Sequence, residues 1–286
     1  MSIALAIIQK GCGFKSVPHL IRPLSGGDIN DVYLISVGAQ NYVVKQNDAD
    51  RFPEMLEKEY RAMLFLNQKL PAAYPQPIAA FTAKNQQYFV LEYRKEGQNT
   101  NEGQQKLTQQ LAKQHRISNS SFGWEEDNYI GQLPQINTAS DNWSDFFAEH
   151  RLLFQAKMAF DSGLLTSTEV QQMESLCQCL DELIPQEKPA LLHGDLWGGN
   201  YFISSKGKAT LYDPAIYYGH REMDLAMTCL FGGFNAAFYR SYEEAFPLEK
   251  GWENRVPIGQ LYPNLVHLNL FGSAYHSAIT SVINRF

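Results

Sequence analysis

The apolar positions of this 286-residue chain follow two rhythms, short β-branched and aromatic blocks early on and helical spacing later. Residues 32–37 (Val-Tyr-Leu-Ile-Ser-Val) and 42–45 (Tyr-Val-Val-Lys) have the bias of strands, and Gly38-Ala39-Gln40-Asn41 turns the chain between them. The stretch 24–31, centred on Ser25-Gly26-Gly27, reads as a turn between strands. After Pro53, a good first-turn residue, Leu56, Tyr60, Met63 and Leu66 recur at helical spacing and predict a helix over 54–70. Residues 88–93 form a last strand, and the polar run 95–104 reads as a connector. The N-terminal residues 1–8 are apolar but short and lack a basic leader, so they predict a packed helix or strand rather than a signal.

Beyond the connector the period changes. Leu107, Leu111, Ala112 and His115 lie on one helical stripe, and Trp143, Phe146 and Phe147 on another. Val170, Met173, Cys177, Leu180, Leu183 and Ile184 predict a single helix over 166–184, with Thr166 and Glu169 suited to a capping box. Leu265, Leu268, Phe271, Tyr275, Ala278 and Val282 mark a C-terminal helical run. Between these lie an apolar lead-in at 190–192 and short strands at 201–203 and 210–212. The pattern predicts an α+β chain with a boundary near Arg94: a small domain over 1–93 with an antiparallel sheet and one main helix, and a larger, mostly helical one over 94–286.

The loop His193-Gly194-Asp195-Leu196-Trp197-Gly198-Gly199-Asn200, followed by Tyr212-Asp213-Pro214, concentrates the candidate chemistry. Phosphoryl transfer needs an oriented hydroxyl and cations that neutralise the phosphate oxygens. An Asp followed by an Asn, with a second Asp after a strand, matches the kinase pattern: Asp195 takes the hydroxyl proton, while Asn200 and Asp213 bind magnesium. Magnesium accepts a few hard oxygens plus substrate phosphates, so one amide and one carboxylate suffice. Taken singly, these pieces are ordinary turns; their order, with a strand before and strands after, favours the catalytic reading.

A strand-end lysine is commonly solvent-facing, but here a helix follows with Glu59 near its inner stripe. Lys45 and Glu59 are therefore expected to pair and to position ATP phosphates. Gly26 and Gly27 stand where a phosphate-covering loop belongs, although the full Gly-x-Gly-x-x-Gly spacing is absent. The strand exit at Leu91, Glu92, Tyr93 and Arg94 could offer backbone groups to an adenine edge.

Composition narrows the class of function. With 24 basic and 30 acidic residues, net charge −6, and no basic block, the chain lacks the footprint of a nucleic-acid or anionic-membrane binder. No apolar run is long enough to span a bilayer, and the cytoplasm is the expected compartment. The four cysteines, Cys12, Cys177, Cys179 and Cys229, show neither zinc spacing nor the density of a disulfide scaffold and are expected to be structural thiols.

These motifs resemble the fructosamine kinase (ketosamine 3-kinase) family, within the aminoglycoside-phosphotransferase-like branch of the protein-kinase-like fold. The resemblance spans most of the chain and includes Asp127-Asn128-Tyr129-Ile130-Gly131, Trp143-Ser144-Asp145-Phe146, Tyr218-Gly219-His220-Arg221-Glu222 and Leu230-Phe231-Gly232-Gly233-Phe234. It implies a bilobal fold using ATP and Mg2+ to phosphorylate the sugar O3 of free or protein-linked ketoamines, with breakdown of the product returning the amine. It also implies that residues 91–94 form the adenine hinge. Trp197 could stack on the sugar or its linked amine, with packing under the loop an equal alternative, and His220 could touch the acceptor, although such a histidine is more often a satisfied turn residue. Asp224, ahead of an apolar run, fits a helix N-cap as well as a ligand. Some relatives are thought to be redox-controlled through a cysteine in the glycine-rich turn; Gly27-Asp28-Ile29 stands here instead. Two alternatives are a kinase for another small hydroxylated acceptor and a nucleotide-binding pseudokinase.

Overall fold

The computed structural model describes residues 3–24 and 29–286, so the expected phosphate-covering turn with Gly26 and Gly27 lies outside the described residues. The chain divides into two compact units, Met1–Gly103 with Phe202–Pro214, and Gln104–Tyr201 with Ala215–Phe286.

In the first unit, helix α1 (Leu5–Cys12) precedes strands β1 (His19–Leu24), β2 (Asp31–Val37) and β3 (Gln40–Asp48). Helix α2 (Met55–Lys69) then leads to β4 (Pro77–Ala83) and β5 (Gln86–Glu92). The strands form one antiparallel sheet in the order β1-β2-β3-β5-β4. Lys45 therefore sits on the central strand, opposite Val32 on one side and Phe89 on the other. No strand was expected at β4, whose Pro77 and three alanines have weak strand preference; pairing with β5 overrides that preference. Helix α2 starts later than Pro53 suggests, because Glu54 adopts a left-handed conformation (φ 57°) and re-aims the chain. Gln87 Oε1 on β5 then accepts the Leu56 N–H at 3.1 Å, capping the helix from the sheet. The connector is pinned as well: Gly97 N–H donates to Ile203 O at 2.7 Å and Ser205 N–H to Lys95 O at 2.8 Å.

The second unit holds most of α3 (Asn101–His115) and a helical core that includes Trp143, Phe146, Phe147, Met173, Leu176 and Leu265. The helix begun by Trp143–Phe147 is capped by Asn142 and widens into a π turn over Ala148–Leu153. That turn carries the fully buried Arg151, whose guanidinium lies 4.1 Å from the Tyr217 ring centroid and 4.6 Å from that of Phe146. The expected helix over 166–184 keeps its capping box but divides into Ser167–Gln178 and Leu180–Leu183, because the Cys179 N–H closes a tight turn onto Leu176 O. Gly272 (φ 88°) likewise separates the C-terminal run into Leu261–Phe271 and His276–Ile283. Among the described residues, no helix is long and apolar enough to cross a membrane.

Candidate active site

In the second unit, two short strands, Ala190–Leu191 and Tyr218–Gly219, pair antiparallel beside the loop that carries Asp195. Gly194 bends this loop at φ 83°, and a Cβ there would come within 2.0 Å of Ala215 O, so only glycine fits. Buried Asp224 shapes the same bend: its carboxylate accepts the His193 N–H at 2.7 Å and the Gly194 N–H at 2.9 Å. Asp224 Oδ2 also lies 3.0 Å from His115 Nε2, while His115 Nδ1 lies 2.7 Å from the Tyr242 hydroxyl. Burial alone would raise the Asp224 pKa, yet the bonds and charge of His115 and His193 prevail and hold it below the ordinary carboxylate range. Asp224 is thus not an N-cap. It lies within the first turn of the helix Glu222–Thr228 and spends its oxygens on the loop. Its role, and that of His115, escaped sequence reasoning; the one signal was an acid just ahead of an apolar run.

Asp195 and Asn200 come together on this loop. The Asn200 Nδ2 donates to the Asp195 backbone oxygen at 2.8 Å and to its carboxylate Oδ2 at 2.9 Å, which commits the amide nitrogen and turns the amide oxygen elsewhere. Buried Leu196 anchors the loop between them. Trp197, 39% exposed, lies across Gly199, where a Cβ would approach its ring to 2.2 Å. Gly198 meets Gly233 backbone to backbone, since a Cβ on Gly233 would lie 2.7 Å from Gly198 Cα. The Tyr201 hydroxyl (2.5 Å) and Gln104 Nε2 (3.1 Å) both donate to Gly233 O and hold that contact. This accounts physically for Gly233, while Gly232 is set by its left-handed backbone (φ 73°).

His220 requires a correction. It has no exposed surface to offer a substrate: Nε2 donates to Pro185 O at 3.1 Å and Nδ1 accepts the Glu222 N–H at 3.3 Å. Burial holds its pKa below the usual histidine value, against the pull of Glu187. The side chain braces a turn.

In the first unit, the sheet brings Lys45 to two carboxylates, with Nζ 2.6 Å from Glu59 Oε1 and 2.6 Å from Asp213 Oδ1. Burial opposes the charge on Lys45, but Asp213 and Glu59 outweigh it and hold the ammonium above the ordinary lysine value. Burial, reinforced by Asp213, pushes Glu59 above the usual carboxylate range despite Lys45. Asp213 adopts φ 54°, a strained conformation for a residue that precedes proline. At the strand exit Leu91 is buried, the Glu92 N–H donates to Gln76 O at 2.9 Å, and the Tyr93 N–H to Asn41 O at 3.3 Å. Arg94 ties this exit to the loop after α2 through Ala72 O (2.8 Å) and Tyr74 O (2.6 Å).

Among the described residues, no cluster of three or more His, Cys, Asp or Glu side chains could hold a metal by itself. The two metal-binding residues expected from sequence fall in different units, Asn200 in the second and Asp213 in the first, and each carries a hard oxygen of the kind magnesium takes.

Comparison with known proteins identifies the family. A family model described as fructosamine kinase matches residues 3–286. The probable ketoamine kinase of Synechocystis is 38% identical over 265 residues, covering 92% of this chain and 89% of that protein. The chloroplastic protein-ribulosamine 3-kinase of Arabidopsis thaliana is 35% identical over 271 residues, covering 93% and 82% respectively. A solved structure of a candidate fructosamine-3-kinase from Thermobifida fusca has a TM-score of 0.89 at 31% identity and covers 98% of this chain and 97% of that one. At 15% identity, an aminoglycoside phosphotransferase in ternary complex with AMP-PNP and hygromycin B shares the fold (TM-score 0.65, covering 99% and 98%). The architecture is therefore the α+β, protein-kinase-like one.

Proposed function

The chain belongs to the fructosamine kinase family, and we propose on that premise that it transfers the γ-phosphoryl group of ATP to the sugar O3 of a ketoamine. The bond from O3 to the γ-phosphorus forms as the bond to the bridging β–γ oxygen breaks; ADP leaves, and the hydroxyl proton passes to the Asp195 carboxylate. The observation that carries this reading is the Asp195–Asn200 pair, locked on a loop whose two preceding N–H groups are tied to one buried acid.

The residues divide the work. Asp224 and Gly194 fix the direction of Asp195, so the proton acceptor is placed before substrate arrives. Lys45, held charged by Glu59 and Asp213, is a cation for the nucleotide phosphates. Asn200 and Asp213 would hold Mg2+, which when bound neutralises phosphate charge. Gly26 and Gly27 would cover the phosphates and the 91–94 exit would meet adenine. Trp197, exposed beside Asp195 in sequence, would stack on the acceptor. The four cysteines are unpaired, which suits a reducing compartment, and a cytoplasmic site of action completes the proposal.

The test is ATP turnover with ribose-, erythrose- and glucose-derived ketoamines, free sugars as controls, and the phosphorylated position mapped. Asp195→Asn should lower kcat by about 10²–10⁴-fold while leaving the KM for ATP near its original value. Asp213→Ala should instead raise the KM for ATP. If both variants lost nucleotide affinity equally, this division of labour would be wrong.

A further inference from the structure

Several aromatic side chains of the second unit that the phosphoryl chemistry leaves unused form a continuous row starting at Trp197. The Phe231 ring stands edge-on to Trp197 with centroids 6.1 Å apart and lies 5.0 Å from the His267 ring, which Tyr275 supports from 4.9 Å. Trp197 and Phe231 are 39% and 41% exposed, so the row presents ring surface to solvent instead of closing on itself. Its place beside the loop is fixed by backbone, because Phe231 belongs to the segment whose Gly233 abuts Gly198.

His267 adds a polar atom of defined character. Its Nδ1 lies 2.6 Å from Pro263 O, and since a carbonyl only accepts, that nitrogen carries the proton. The other ring nitrogen, Nε2, is then a bare acceptor. Burial lowers the pKa of this histidine and favours the neutral ring that this arrangement requires.

We propose that Trp197, Phe231 and His267 form the subsite for the bridging nitrogen of the ketoamine, bound as a secondary ammonium. The inference rests on the ketoamine kinase reading and deepens it. Aromatic faces attract a cation, and the His267 Nε2 lone pair accepts one of its N–H bonds. A free sugar has no such group, so this row separates ketoamines from the sugars they derive from. The hydroxyl end of the substrate is left to Asp195, two residues before Trp197.

The experiment compares a ketoamine with its thioether isostere, in which neutral sulfur replaces the bridging nitrogen. Wild-type protein should show a KM about tenfold lower for the amine, and His267→Leu and Phe231→Ala should reduce that preference to about twofold or less. His267→Gln, which restores an acceptor, and Phe231→Tyr, which restores a ring, should recover most of it. If His267→Leu fails to fold, Phe231→Ala carries the test. Ketoamine turnover with an undiminished amine preference in both variants would overturn the subsite and leave the kinase reading standing. A wild-type protein that phosphorylates no ketoamine would remove both.

Discussion

Asp224 accepts from two loop N–H groups and meets His115 with a single carboxylate, so the bend before Asp195 depends on that group staying charged. Its folded pKa lies below that of an unfolded aspartate, about 3.9. The stabilisation is therefore fully present above that value and is lost as pH falls through the folded pKa. Denaturant unfolding measured across acid pH should show wild-type stability dropping below about pH 4. Asp224→Asn should be less stable near neutrality and fall less steeply in acid; equal slopes would show that Asp224 does not anchor the loop. Asp195 and Asn200 could be read from spacing because both lie on one short loop. The His115–Asp224 contact joins positions 109 apart, and neither residue type announces it. Nor does Asp-Pro reveal that Asp213 sits at φ 54°, where the ion pair with Lys45 helps to hold it.

Secondary structure was most legible where its signals were local. The Thr166 capping box is one case: Thr166 Oγ1 accepts the Glu169 N–H, and Glu169 returns the bond to the Thr166 N–H at 2.7 Å. Glu169 also meets His276 at 2.8 Å on the C-terminal helix, so this cap joins two elements. Thr166→Ala should cost about 1 kcal/mol and lower Tm by roughly 2–4 °C with ketoamine kinetics unchanged, as a thermal scan and a steady-state assay would show. Boundaries set from outside the element were not legible. Helix α2 starts at Met55 because Glu54 turns left-handed and Gln87 supplies a cap from another strand. Strand β4 exists because β5 has an edge to fill, whatever the preference of its alanines.

Across the whole chain, burial makes two of the four thiols unreactive. Burial pushes Cys12 up to about 11 and Cys177 up to about 12, so neither is a thiolate at neutral pH, and no cysteine stands in the stretch 25–29. Ketoamine phosphorylation measured with and without reductant, after exposure to a mild oxidant, should differ by less than about twofold. A large response would mean that Cys179 or Cys229 controls activity. The same scale shows how the chain is divided: Phe202–Pro214 returns to the first unit, where Leu211 N–H donates to Ala73 O at 3.0 Å and Asp213 reaches Lys45.

That return separates two kinds of information. Periodicity, caps and the order of residues in the 193–200 loop act over a few positions, so the linear chain already marks several helices, the strand that bears Lys45 and the candidate chemical groups. Which acid holds the loop, which histidine is a brace and where Asp213 belongs depend on contacts over 30 to 168 positions. Such contacts form only once apolar burial has brought the segments together, and no local pattern encodes their partners.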